Sequence, residues 1–327
     1  MKRAIGRTGR SLPPVGLGCM GLTGVYNKPV DPADAVKLLH EAIDLGCEHF
    51  DTAEIYGFTK NEELLGEAFH DRRNKVFIAT KWGLAFDAAK NQRLGMDGSP
   101  ANCRRAVEGS LKRLRTDHID LYYLHRVDPK TPIEESVGEM EKLRKEGKIR
   151  MIGLSEPSAA TIRKAALAAP ISAVQSEYSI FTRDVERGPL SAIQDIGASL
   201  IAYSPVGRGM LTGALSKDPP KGDDFRATAV PRFDDKNYAA NLALVDEIKQ
   251  IAGELGASAA QVALAWVLSR APNIHVIPGT TKLENLRTNL NAQTIRLSPG
   301  QIARLDTLAK KVSGDRYTPL GMSAVNL

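Results

Sequence analysis

The chain has 327 residues, 43% of them hydrophobic and 25% charged, and a net charge of +6. Such a chain is long enough for a full core, and its composition excludes disorder, a collagen-like repeat and a disulfide-stapled miniature. The positive charge is scattered without a basic block, which argues against a nucleic-acid surface and suits a polyanionic small molecule.

In chain order, Arg3–Ile5 and Ser11–Leu12, about a turn at Thr8-Gly9, read as a small hairpin. Strand-length apolar runs follow at Val15–Cys19, His49–Asp51, Val76–Thr80, Ile119–Leu124, Arg150–Ser155, Ala173–Ser176, Leu200–Tyr203 and His275–Pro278. Helical patterns lie between or after them at Pro32–Leu45, Glu62–His70, Ser99–Leu114, Pro132–Glu146, Ser158–Ala168, Arg187–Ile196, Asn237–Gly253, Ser258–Ser269 and Ser298–Val312. Ser99-Pro100 has the signature of an N-cap followed by a first-turn proline. Parallel strands need crossovers, and helices are the usual ones. The expected fold is therefore an α/β (β/α)8 TIM barrel, one domain over 1–327, with an N-terminal β-hairpin. Gly83–Gly98 and Pro205–Lys236 read as long irregular loops at its C-terminal face.

Cys19, Cys47 and Cys103 contain no C-x-x-C spacing, so neither a disulfide framework nor a zinc ribbon is expected. The N-terminus turns polar at once, and the most apolar stretch, Ala259–Leu268, is too short to span a bilayer. These features predict a soluble cytoplasmic protein without membrane, nucleic-acid or metal partners.

Gly16-Leu17-Gly18-Cys19-Met20-Gly21 matches G-x-G-x-x-G literally. The dinucleotide fingerprint also needs a buried strand before it and a helix directly after it. Here Pro13-Pro14 precede the motif, and Gly24 and Pro29 occupy the place of the helix. A glycine-rich strand end is the plainer reading, and a loop supporting a ligand from below is another.

Barrel chemistry gathers at the C-terminal ends of strands. Those ends carry Asp51, Lys81 and His125, with Tyr56 on the loop after Asp51. Taken singly, each has an ordinary structural reading: a turn aspartate, a packed ring, a surface lysine, a core histidine. Together they form a coherent proton-transfer set. A phenol titrates near pH 10, a buried lysine beside it favours the phenolate, and an aspartate keeps that lysine charged. A tyrosine so placed suits protonation of a carbonyl oxygen, and reduction of that carbonyl requires a hydride that only a cofactor supplies.

Asp51-Thr-Ala-Glu-Ile-Tyr56-Gly, Ala79-Thr-Lys81 and Leu121-Tyr-Tyr-Leu-His125 resemble the catalytic segments of the aldo-keto reductase superfamily. The resemblance runs essentially end to end, through Gly16-Leu-Gly-Cys-Met20, Gly153-Leu-Ser155-Glu156, Gln175, Ala202-Tyr203-Ser204-Pro205 and Ile277-Pro-Gly-Thr-Thr-Lys282. Cys-Met-Gly-Leu, Leu-His-Arg-Val-Asp and Gly-Arg-Gly-Met look like the branch that holds plant perakine reductase and bacterial carbonyl reductases, some acting on 3-keto mycotoxins. The resemblance implies reduction of an aldehyde or ketone by NADPH, with Asp51, Tyr56, Lys81 and His125 catalytic.

It also implies a cofactor site. Ser155 and Gln175 would hold the nicotinamide carboxamide and Tyr203 its ring. Ser204, Val206, Gly207 and Gly209 would approach the pyrophosphate. Gly279, Thr280, Thr281, Lys282, Asn285 and Asn289 would surround the 2′-phosphate, and Cys19, Met20, Gly21 and Asp51 would complete the lining. The chain departs from the family in two places. Glu156 stands where Asn is common, and Leu211-Thr-Gly-Ala214 lacks the clamp lysine, for which Lys217 is the candidate substitute. Tyr26, Trp82, Arg126 and Phe233 are candidate substrate residues, for a small-molecule carbonyl compound bound by a monomer or weak homo-oligomer. The competing functions are a Schiff-base aldolase or isomerase using Lys81, and a nucleotide-binding auxiliary subunit with little turnover.

Overall fold

The computed structural model describes residues 2–26 and 28–326. Met1, Asn27 and Leu327, which the expected 1–327 barrel includes, lie outside the described residues. Eight parallel strands are hydrogen-bonded in chain order: β1 Leu17–Gly18, β2 His49–Asp51, β3 Phe77–Trp82, β4 Ile119–Leu124, β5 Ile149–Ser155, β6 Ile171–Glu177, β7 Ser199–Tyr203 and β8 Ile274–Val276. Parallel bridges Val15–Val276 and Gly18–Gly279 join the first and last strands, so the sheet closes on itself.

Helices Pro32–Asp44, Lys60–Phe69, Pro100–Arg113, Ile133–Lys145, Ala159–Ala168, Pro189–Asp195, Ala259–Ser269 and Leu283–Asn291 follow the strands. Their starts are written in the sequence. The Ser99 hydroxyl accepts from the Asn102 N–H with Pro100 in the first turn, and Ser258 and Gln261 form a reciprocal capping box. The patterned stretch Asn237–Gly253 is two helices, Asp235–Ala243 and Val245–Leu255, interrupted at Leu244. Among the described residues no single helix is long and apolar enough to cross a membrane. All three cysteines are free and buried.

The strands alternate, as a two-residue period requires. Phe77, Ala79, Leu121, Tyr123, Met151, Ala173 and Ile201 point inward and fill the barrel. Ile78, Trp82, Tyr122, Leu124, Ile152, Val174 and Leu200 point outward against the helices. The N-terminal hairpin, Arg3–Ala4 paired with Ser11–Leu12, plugs the bottom with Ile5 and Leu12.

The glycine motif is explained by this crowding. A Cβ at Gly16 would lie 2.8 Å from the His49 carbonyl oxygen, and one at Gly18 would lie 2.8 Å from that of Ile277. The first strand closes the barrel only because it has no side chain there. Both expected loops are partly ordered: Pro205–Lys236 holds the short helix Phe225–Ala229 and single turns at Gly207–Thr212 and Pro231–Phe233. Within Gly83–Gly98, Leu84–Asp87 and Gln92–Met96 pair as an antiparallel hairpin. Its residues are largely exposed, so no buried alternation marked it in the sequence.

Candidate active site

Asp51 ends β2 and Lys81 lies near the end of β3, both facing inward at the C-terminal mouth. The Lys81 ammonium donates to Asp51 Oδ1, to the Thr52 carbonyl at 2.8 Å and to the Tyr56 hydroxyl at 3.3 Å. Gln175 Nε2 holds the other Asp51 oxygen at 2.7 Å. The His125 ring meets the Tyr56 ring edge to face at 5.8 Å between centroids, and its Nδ1 is buried without a hydrogen-bond partner.

Burial works against the Lys81 charge, but Asp51 and Tyr56 outweigh it and hold the ammonium above its ordinary value. Burial pushes the Asp51 carboxyl up against the opposing pull of Lys81 and Gln175. Burial likewise pushes the Tyr56 phenol up, and the nearby Lys81 charge only partly offsets it. Lys81 favours the phenolate, as the sequence led one to expect, but desolvation of the phenolate exceeds the attraction of the cation and the net shift is upward. His125 is driven well below the usual imidazole range, first by burial and then by the charges of Arg126 and Lys81. At neutral pH the set consists of a cationic lysine, a neutral phenol and a neutral imidazole.

Tyr56 and His125 line a cleft of about 2090 Å³ across the barrel mouth. Asp51, Ser155, Gln175 and Tyr203 line it at the same end, with Tyr26 and Arg126 beside them. Met20, Gly21, Ser204, Val206 and Gly209 line it as well. Gly279, Thr280, Thr281, Lys282, Asn285 and Asn289 also line it, and Lys282 is the N-cap of the helix Leu283–Asn291. One continuous wall thus joins nearly all the residues singled out in the sequence.

Several candidates lie off that wall. Trp82 follows inward-facing Lys81 and therefore faces outward, stacked on Tyr122 at 6.3 Å, so it is not a pocket residue. Phe233 is buried against Tyr238 at 5.9 Å between ring centroids, outside the cleft. Lys217 is exposed and does not line the cleft, although Ala214 and Leu215 just before it do. The Cys19 thiol is buried and donates to the Leu17 carbonyl, and Gly207 packs toward Leu211; neither lines the cleft.

Two buried ion pairs were not marked by any sequence pattern. Glu156 has φ 55°, a conformation that Asn tolerates better than Glu. Both of its oxygens accept from Arg316, at 2.9 and 2.8 Å, and one also accepts from the Glu177 N–H at 2.7 Å. The carboxylate is thus committed to fastening the C-terminal segment across the barrel mouth, where Tyr317 hydrogen-bonds Tyr203 at 2.9 Å. The second pair joins Arg208 to Glu177 at 2.7 Å. Gly207, Arg208 and Gly209 have φ of 58°, 56° and 97°, so the loop curls tightly along the cleft. Arg208 is held in that costly conformation by the ion pair and by the faces of Tyr317 and Phe225. The spelling Gly-Arg-Gly was the one available hint.

Comparison with known proteins agrees with this architecture. The Aldo/keto reductase family model matches residues 14–310. A probable aldo-keto reductase 1 from Glycine max is 40% identical over 317 residues, covering 96% of this chain and 90% of its own. The structure of the glycerol dehydrogenase AKR11B4 from Gluconobacter oxydans superposes with a TM-score of 0.87 at 32% identity, covering 97% of this chain and 98% of the other. The thermostable aldo-keto reductase Tm1743, solved with the inhibitor epalrestat, gives a TM-score of 0.75 at 34% identity, with coverage of 94% and 99%. The chain belongs to the aldo/keto reductase family, oxidoreductases that act on small-molecule carbonyl compounds with nicotinamide cofactors.

Proposed function

We propose that this protein reduces an aldehyde or ketone to the alcohol with NADPH, and that Tyr56 delivers the proton. The observation that carries the reading is the Asp51–Lys81–Tyr56 hydrogen-bond chain opening beside His125 on the cleft wall. The cleft chemistry fits a dinucleotide along its length. Ser155 and Gln175 would take the nicotinamide, the tightly curled loop at Gly207–Gly209 the pyrophosphate, and Lys282 with Asn285, at the start of a helix, the 2′-phosphate. A cation at a helix N-terminus, with free N–H groups beside it, suits a phosphate dianion better than a ribose hydroxyl. Once bound, the reduced nicotinamide supplies the hydride.

The protein's own part is to place and protonate the carbonyl. Tyr56, kept protonated by its raised pKa, donates its proton to the carbonyl oxygen as negative charge develops there. Lys81 then stabilises the phenolate, and Asp51 keeps Lys81 charged and aimed. The orphaned Nδ1 of neutral His125 favours the tautomer with its proton on Nε2, available to the same carbonyl oxygen. Schiff-base chemistry at Lys81 is disfavoured, since its side chain is fully buried and its ammonium already has three acceptors. The reading takes the protein as a monomer or weak homo-oligomer, and its three free, buried cysteines suit a reducing cytoplasm.

Consumption of NADPH against a panel of aldehydes and ketones tests the activity; no oxidation with any of them contradicts it. Fluorescence titration tests the cofactor. Lys282→Ala is expected to weaken NADPH by about 1.5–3 kcal/mol and to leave NADH nearly unchanged. Equal weakening of both, or equal wild-type affinities, contradicts the preference.

A further inference from the structure

The arginines around the cleft are not alike. Arg208 and Arg316 are 8% and 2% exposed, and each is spent on a carboxylate of its own, Glu177 and Glu156. Arg226 is paired with Asp224 at 2.6 Å. Arg126, next in sequence to His125, has no such partner. Among the described residues it forms no ion pair, and its recorded hydrogen bonds both leave from Nη1, to the His125 carbonyl at 2.8 Å and the Ser155 hydroxyl at 3.1 Å. Those bonds tether one edge of the guanidinium beside the reacting end. Nε and Nη2 keep their donors, and the residue lines the cleft. The carboxylate that acts on it, Glu156, is already gripped by Arg316 at both oxygens.

A half-buried guanidinium with unspent planar donors is matched by a carboxylate, which it can meet through charge-assisted hydrogen bonds. Its neighbours limit how far that carboxylate stands from the reacting carbon. Arg126 is tethered to His125 itself, and its charge is felt by both Tyr56 and His125. Arg93, on the hairpin Leu84–Met96, lines the same cleft, forms no ion pair among the described residues and adds positive potential. Resting on the carbonyl-reductase reading above, we propose that Arg126 is a carboxylate-binding residue of the substrate site. The preferred substrates are then oxo acids, aldehydes or ketones that carry a carboxylate within a few bonds of the carbonyl.

The experiment compares benzoylformate with its uncharged methyl ester, each reduced with NADPH, in wild type, Arg126→Lys and Arg126→Met. The two probes differ in intrinsic reactivity, so the readout is the change in the acid-to-ester ratio of kcat/KM. That ratio is expected to fall about 10- to 100-fold in Arg126→Met, the loss of a charged hydrogen bond, with Arg126→Lys in between. A ratio unchanged in Arg126→Met overturns the proposal and makes Arg126 a positioning residue for Ser155. So does a wild-type enzyme that reduces the ester and not the acid. If neither probe is turned over, the carbonyl-reductase reading is what has failed for them, and calorimetric titration of mandelate into the protein decides the present point. Binding weakened at least about tenfold in Arg126→Met supports a carboxylate site, whereas equal binding, or none to wild type, overturns it.

Discussion

The lower and upper halves of the barrel interior are made from the same barrel of strands, one or two inward positions apart, and serve opposite ends. In the lower half, His49, Phe77, Leu121 and Met151 pack under the plug of Ile5 and Leu12, and Gly16 has no room for a methyl group. In the upper half, inward positions further along the barrel strands are Asp51, two residues beyond His49, Lys81, four beyond Phe77, and Gln175, two beyond Ala173, which exchange hydrogen bonds instead of packing contacts. Both halves are buried. The difference lies in charge and in whether the polar groups lead out to the cleft. The lower half keeps its histidines neutral, whereas the upper half keeps the Asp51–Lys81 ion pair charged and links it to Tyr56, which opens on the cleft. Burial alone therefore does not distinguish core from site; the direction in which each polar group is satisfied does.

That contrast is open to attack at several depths. The largest effect is expected in the upper half. Lys81→Met should cut turnover by about 10³-fold, roughly 4 kcal/mol, and adding Asp51→Asn should cost little more, since both act through Tyr56. Fully additive losses in kcat would show that the two are not one unit.

The lower half should respond to acid instead. Burial and neighbouring charge bring His49 to about 3, and burial brings His275 to about 4, both against an unfolded value of 6.5. Each group binds its proton more readily when the chain unfolds, so stability falls as pH drops below about 6.5 toward those values. At pH 5 the cost is about 2 kcal/mol per histidine. Urea unfolding at pH 7 and pH 5 reads it: His49→Leu should lose less stability across that interval than wild type, by about 2 kcal/mol. An equal loss in both proteins contradicts the assignment.

A smaller effect should follow from Gly16→Ala, whose methyl group would press on the His49 backbone. Overpacking of this kind costs about 1–3 kcal/mol, and a single methyl belongs at the low end. The melting temperature should drop by a few degrees while the ratio of NADPH to NADH affinity stays fixed. A selective loss of cofactor binding with unchanged melting would return this motif to a nucleotide-binding role. The smallest effect concerns pH and rate. Since Tyr56 is raised above, and His125 lowered well below, their ordinary values, carbonyl reduction should show no titration by either between pH 7 and pH 9. A pronounced decline in kcat across that range would mean that the phenol ionises there.

The two halves were also unequally readable in the sequence. Strand positions and the inward parity of Asp51 and Lys81 follow from short apolar runs, and helix starts follow from Ser99-Pro100 and Ser258. Parity applied one residue further would have removed Trp82, since two neighbours on a strand cannot face the same side. What the sequence hid depends on contacts between distant segments. Glu156 meets Arg316 across 160 positions, and only the fold shows that its carboxylate is already committed. The Leu84–Met96 hairpin has no buried face to impose a pattern, and Lys217, suitable by spacing alone, does not line the cleft.

The central claim is that the upper half places a protonated phenol against the carbonyl while neighbouring residues hold the cofactor. Tyr56→Phe tests this most directly, because it removes one oxygen and leaves the ring against His125. Turnover of a carbonyl substrate under saturating NADPH, measured beside NADPH affinity, should fall by at least about 10²-fold with affinity unchanged. Turnover close to that of wild type would contradict the account, whatever the variant's affinity for the cofactor.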